Sequence, residues 1–167
     1  MKVFDSLKKK AEESKKVIVF PEGNDDRIIK AAVRLEKEGI VKPLLLGKPD
    51  EVIETAQSLN VDLGSIEIIN PAVYPDFEKM CQDFIELRKG KNTLAEAKKI
   101  LQDVSYFGTM LVYEGKADGM VSGATHSTAN TVRPALQIIK TKKGMSRVSG
   151  AMIMERGDEK YIFADCA

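Results

Sequence analysis

The sequence predicts an α/β fold, a parallel sheet flanked by helices, and three observations predict it. Short continuous apolar runs at 17–20 (VIVF), 41–46 (VKPLLL) and 66–69 (IEII) have the character of strands buried on both faces. Segments of helical periodicity separate these runs. The resulting β-α-β-α-β alternation is the mark of a parallel sheet with helices on its two faces.

Each element has a local reason. Residues 4–14 are rich in Lys and Glu, with Phe4, Leu7 and Ala11 on one helical face. After the first strand, 21–26 (PEGNDD) is a loop; Asp25 and Asp26 read as helix-capping carboxylates, with a metal pair as the other reading. The helix at 27–38 is expected to bury a stripe of Ile28, Ala31, Ala32 and Leu35 and to stop at Gly39. Gly47 ends the second strand, and Pro49 opens a helix to about residue 59, where its missing N–H costs nothing. Asn70-Pro71 ends the third strand. A helical region follows: 77–89 with Met80, Cys81, Phe84 and Leu87 inward, a helix from Thr93, another at 103–115, then a strand at 119–121. On that inward stripe Cys81 reads as a small core hydrophobe.

The polar connector 141–147 is the candidate domain boundary, dividing the chain into 1–144 and 145–167. Residues 148–154 and 160–165 read as strands of a hairpin turning at Gly157-Asp158. An apolar strand so close to the last residue leads us to expect a second domain of which only the first strands are present.

Composition narrows the function classes. With 31% charged residues, 43% hydrophobic residues and a net charge of +1, nothing points to nucleic acid or an anionic membrane surface. Two distant cysteines, Cys81 and Cys166, argue for a reducing compartment, and a single His argues against a His-built metal site. No apolar run reaches the roughly 18 residues of a membrane helix, and residues 1–16 lack the apolar core of a signal peptide, so the expected location is the cytoplasm. G-x-G-x-x-G, G-x-x-x-x-G-K-[ST] and G-x-S-x-G are all absent, which disfavours dinucleotide dehydrogenases, P-loop hydrolases and serine hydrolases of the elbow type.

The chemistry concentrates in 117–140 (ADGMVSGATHSTANTVRPALQIIK), where a small-residue loop feeds a helix that carries Arg133 and Pro134 near its start. Free backbone N–H groups at such a helix start, with the helix dipole, form a cradle for an anion such as phosphate. Ser122, Thr125, Ser127, Thr128 and Thr131 supply hydroxyl donors, and Arg133 supplies a planar cationic fork. The competing reading is a Ser/Thr-rich cap with Arg133 solvated. His126 in the loop is either a base, a ligand-binding donor or a hydrogen-bonding residue.

This stretch closely resembles the signature of the phosphate acetyltransferase (phosphotransacetylase) and phosphate butyryltransferase family, the acetyl enzyme being the closer match. The likeness extends to VIVFPEGNDDRIIKAA, VSGAMIM and YIFADCA, and covers 17–167. It implies a fold like that of isocitrate and isopropylmalate dehydrogenases, with two α/β domains around a cleft, usually paired as a homodimer. It implies interconversion of acetyl-CoA and phosphate with acetyl phosphate and CoA, in which coenzyme A is a substrate and no cofactor or metal is needed. Family chains are about twice as long, so the chain looks like an N-terminal half. The missing half would carry a Ser-Arg pair and the Asp that acts as base on the CoA thiol, so this half is expected to be inactive by itself.

Arg133 matches a phosphate- and CoA-binding arginine of the family that serves catalysis, with Ser127, Thr128 and Thr131 beside it on the substrate. Arg88 in ELRKG matches a second such arginine; its other reading is a solvated charge at a helix C-terminus. His126 and Cys166 would lie near the site, Cys166 not as a nucleophile, since the family reaction looks like direct transfer in a ternary complex. The alternative function is a non-catalytic phosphate- or CoA-binding or oligomerisation module.

Overall fold

The computed structural model describes residues 3–164. Strands β1 (Val17–Phe20), β2 (Lys42–Leu46), β3 (Glu67–Ile69) and β4 (Gly119–Met120) form a parallel sheet in the order β3-β2-β1-β4. Helices α1 (Val3–Ser14), α2 (Asp26–Lys37) and α3 (Pro49–Ser58) occupy the first part of the chain. A short 3-10 turn (Pro71–Val73), α4 (Phe77–Leu87), α5 (Leu94–Ile100) and α6 (Val104–Tyr113) separate β3 from β4, and α7 (Thr128–Ile138) follows β4.

The alternation of side chains along each strand divides the core in two. Phe20 and Leu45 meet Ile29, Ala32 and Val33 of α2 and Val52 and Ala56 of α3. Val19, Leu44 and Leu46 face the other way, onto Met80, Cys81 and Phe84 of α4, Leu101, and Phe107 and Met110 of α6. Fully burying one such large apolar side chain contributes roughly 1.5–3 kcal/mol. Cys81 is fully buried, and burial raises its thiol pKa above the ordinary value. Side chains fix the helix starts: Asp25, Asp103 and Ser127 accept backbone N–H groups, and Thr93 with Glu96 forms a reciprocal capping box.

Three expectations need correction. The buried stripe of α2 is Ile29, Ala32 and Val33; Ala31 is exposed, and Ile28 and Leu35 lie at the half-buried margin. Both stripes satisfy helical periodicity, and the packing of Ile29 and Val33 with Phe20 and Leu45 decides which one meets the sheet. Pro134 sits inside α7 and is buried, because the Ser127 cap starts the helix at Thr128, well before Arg133. The first strand of the hairpin begins at Ala151, so 148–150 are irregular.

Strands β5 (Ala151–Arg156) and β6 (Glu159–Ala164) pair antiparallel with Ile153 opposite Ile162, in a sheet separate from the first. Gly157 in the turn adopts φ 62°, a conformation natural to glycine. The hairpin is open to solvent, with Ile162 75% and Phe163 51% exposed.

All four strands of the first sheet are parallel, so their C-terminal ends share one edge, the usual place for a site in an open α/β sheet. The loops leaving β1 and β4 become neighbours there, because Val19 pairs with Met120.

Candidate functional site

The turn after β1 places Glu22 under the loop that follows β4. Gly23 makes this possible: its N–H donates to Leu46 O at 3.1 Å, and a Cβ there would stand only 2.5 Å from that oxygen. The Glu22 side chain is almost wholly buried, yet it is saturated with donors. Gly123 N and Ala124 N donate to Oε2 at 3.1 and 3.0 Å. Thr125 N and His126 N donate to Oε1 at 2.7 and 2.8 Å, joined by Thr125 Oγ1 at 3.1 Å. His126 Nδ1 completes the set at 2.9 Å. Burial pushes this carboxyl up, but the N–H groups of Thr125, His126 and Ala124 and the His126 ring outweigh it and hold the pKa at about 2.

The loop 123–126 is therefore an anion nest whose anion is supplied by the chain itself. Glu22 thus takes the N–H groups of the loop itself; those of Thr128 and Ala129 in the first turn of α7 are not among its donors, so any phosphate cradle is confined to that helix start. Sequence reasoning missed Glu22. Its signal was an acidic residue between Pro21 and Gly23 directly after a buried strand, but that signal acquires meaning only once β1 and β4 are known to be adjacent. Arg27 adds a second tie, donating from Nη2 to Ala124 O at 2.7 Å and to Asp25 Oδ2 at 2.8 Å. The Arg27 guanidinium holds the Asp25 carboxyl down at about 2. Asp25 thus serves as cap and guanidinium partner together, and among the described residues no cluster of acidic, His and Cys side chains is suited to a metal ion.

The remaining predicted residues lie along α7 and opposite it. Ser127 Oγ accepts from Asn130 N at 3.3 Å, so it works as the N-cap; Thr128 opens the helix and is exposed. The hydroxyls of Ser122 and Thr131 are buried without a hydrogen-bond partner. Arg133 is exposed on α7. Arg88 follows the last turn of α4, half-buried, with Nε enclosed and unpartnered. Lys140 Nζ, just past α7, donates to Leu87 O of α4 at 3.0 Å, and Tyr106 Oη of α6 donates to Gln137 Oε1 of α7 at 3.1 Å.

Tyr106 is a half-buried phenol on α6. Burial raises its phenol pKa, the charge of Arg133 opposes the rise, Asp103 adds to it, and Arg88 opposes it again. The ion pairs among the described residues all involve other side chains, which leaves Arg88 and Arg133 as cationic forks without a carboxylate. Such forks suit phosphate oxygens. His126 belongs to a different neighbourhood, a cavity of about 480 Å³ at the sheet edge lined also by Glu22 and Thr125. Cys166 lies outside the described residues.

Known proteins share both the sequence and this fold. A phosphate acetyltransferase of Staphylococcus aureus (strain MRSA252) is 56% identical over 150 residues, covering 90% of this chain and 46% of the relative. A phosphate acetyltransferase of Bacillus subtilis (strain 168) is 50% identical over 165 residues, 99% of this chain and 51% of its own length. Among solved structures, the EutD phosphotransacetylase from Staphylococcus aureus superposes with a TM-score of 0.91 at 53% identity, over 98% of this chain and 49% of that one. A phosphotransacetylase from Streptococcus pyogenes gives 0.93 at 52% identity, over 100% and 52%. The chain spans about half the length of the curated relatives it matches. Residues 2–167 match the family described as phosphate acetyl/butaryl transferase, and the chain belongs to that family.

Proposed function

We propose that this chain supplies the N-terminal half of an acyltransferase that interconverts acetyl-CoA plus phosphate with acetyl phosphate plus CoA. The observation that carries the reading is a pair of guanidiniums with no carboxylate partner among the described residues, Arg133 on α7 and Arg88 just after α4, where Lys140 past the end of α7 bonds Leu87 O. The relatives' names supply the reaction class.

Acyl transfer between a thiol and phosphate needs anion binding, a base for the thiol, and donors for the oxyanion that develops at the acyl carbon. In this reading Arg133 grips the phosphoryl group of acetyl phosphate and stabilises its charge as it leaves. Arg88 holds a phosphate of coenzyme A or the same phosphoryl group from the opposite side. Thr131, with its unpartnered hydroxyl, and Ser127 and Thr128 at the start of α7 line the substrate path. Coenzyme A is a substrate here. The base on the thiol belongs to the half that the longer relatives possess, and the complete enzyme works as a homodimer in the cytoplasm. No helix among the described residues is long and apolar enough to cross a membrane.

The test is turnover. The 167-residue chain should form no acetyl-CoA from acetyl phosphate and CoA, measured by thioester absorbance at about pH 7–8, where loss of the thiol proton matters most. The complete enzyme should do so readily. Turnover by this chain alone would place the base within it, and an inactive complete enzyme would favour a non-catalytic phosphate- or CoA-binding module.

A further inference from the structure

The cavity at the sheet edge holds a group that phosphate binding does not use. His126 Nδ1 stands 2.9 Å from Glu22 Oε1, an oxygen whose carboxyl stays ionised at neutral pH. Facing a carboxylate, Nδ1 must carry the ring proton. In the neutral ring Nε2, on the other edge of the imidazole, is then a bare acceptor. The side chain remains 23% exposed, so this acceptor is not sealed into the core.

The rest of the lining tells what it can accept from. The one Lys or Arg in the lining, Lys48, is paired with Glu51 at 2.6 Å, and the buried Glu22 carboxylate is already saturated by the loop. What remains is the carboxamides of Asn24 and Gln102 and the NH₂ of Asn70, whose oxygen caps Ala72 N; these suit a neutral ligand bearing amides. At about 480 Å³ the space falls within the usual range of small-molecule sites.

We propose that Glu22 is a positioning residue that locks His126 in the Nδ1–H tautomer, so that Nε2 accepts an N–H or S–H donor from the uncharged, amide-bearing arm of coenzyme A in this cavity. The inference rests on the acetyl-CoA reading above and extends it: the arginines between α4 and α7 take the phosphates, and the sheet-edge cavity takes the neutral arm. No proton is transferred to His126 in this arrangement.

His126 is the only histidine, so ¹⁵N-histidine labelling yields a single ring to observe. Long-range proton–nitrogen spectra at about pH 9, where a free imidazole is neutral, should show a protonated Nδ1 and a bare Nε2. Pantetheine, the neutral arm by itself, should shift Nε2, and inorganic phosphate at matched ionic strength should not. In His126→Asn the shorter amide can still donate to Glu22 but has nothing at the Nε2 position. That variant should keep the amide signals of 123–126 and bind pantetheine about five-fold more weakly, the equivalent of one ordinary hydrogen bond. A protonated Nε2, a shift produced by phosphate and not by pantetheine, or unchanged pantetheine affinity in His126→Asn would each overturn the proposal. Coenzyme A titrated in parallel separates the two levels. If it binds while His126 stays unmoved, the cavity assignment falls and the transferase reading stands. If both ligands are silent the cavity assignment also falls, and turnover of the complete enzyme alone decides the transferase reading.

Discussion

Replacing Glu22 by Gln keeps the shape of the side chain and removes its charge, which isolates what the buried carboxylate does for the signature loop. Two routes give the magnitude. The fall of the carboxyl from an ordinary 4.5 to about 2 corresponds to roughly 3 kcal/mol of stabilisation at neutral pH, at about 1.4 kcal/mol for each pH unit. Independently, a carboxamide that turns its oxygen toward Thr125 and His126 must turn its NH₂ toward the N–H groups of Gly123 and Ala124. Leaving a buried donor unsatisfied costs about 1–3 kcal/mol. We therefore expect Glu22→Gln to lose roughly 3 kcal/mol in urea denaturation at neutral pH. With an m-value of about 2 kcal/mol/M, the midpoint falls by about 1.5 M.

The pH dependence of that loss is a second signature. The folded carboxyl titrates below the unfolded one, so between pH 4.5 and about 2 the unfolded chain binds more protons. The stabilisation is complete above 4.5 and is lost as pH falls toward 2, so the gap between wild type and Glu22→Gln should close across that window. A loss under about 1 kcal/mol at neutral pH, or a gap that stays constant down to pH 2.5, would refute the assignment of the nest to Glu22.

Three further outcomes are expected. Gly23→Ala should destabilise the chain by about 1–3 kcal/mol, because its Cβ meets the Leu46 backbone and the turn carrying Glu22 must move; a change within about 0.5 kcal/mol in the same denaturation assay would mean the turn yields freely. In the complete enzyme, Arg133→Lys should weaken phosphate-side binding by roughly 1.5–3 kcal/mol, since an ammonium cannot reproduce a two-pronged contact; unchanged kinetics would return Arg133 to the solvated class. Hydrogen exchange on a dilute sample of this chain should be fast across 151–164, an isolated hairpin with exposed apolar faces, while amides of 17–20 and 42–46 stay protected. Equal protection of both regions in a proven monomer would contradict that expectation.

Local patterning was enough to place the elements. The apolar runs at 17–20, 42–46 and 67–69 are strands, the small-residue loop ends at a Ser127-capped helix, and Gly157-Asp158 turns a hairpin. Each of these depends on residues within a few positions of one another, where capping, turn geometry and the periods of helix and strand operate. Arg133 was legible in the same way, as a cation on the helix after a polar loop. The occupant of the nest was not legible. Glu22 and the N–H groups that hold it lie more than a hundred positions apart, and only the pairing of β1 with β4 sets them side by side. The buried face of α2 was ambiguous for a related reason, since two stripes share one periodicity and the packing of Ile29 and Val33 under Phe20 and Leu45 decides between them. The approach of Lys140 to Leu87 O and of Tyr106 to Gln137 likewise exists only in the folded chain, because residues 53 and 31 positions apart must be packed together. Periodicity records which residues prefer burial, but the order of strands in the sheet decides which distant charges meet.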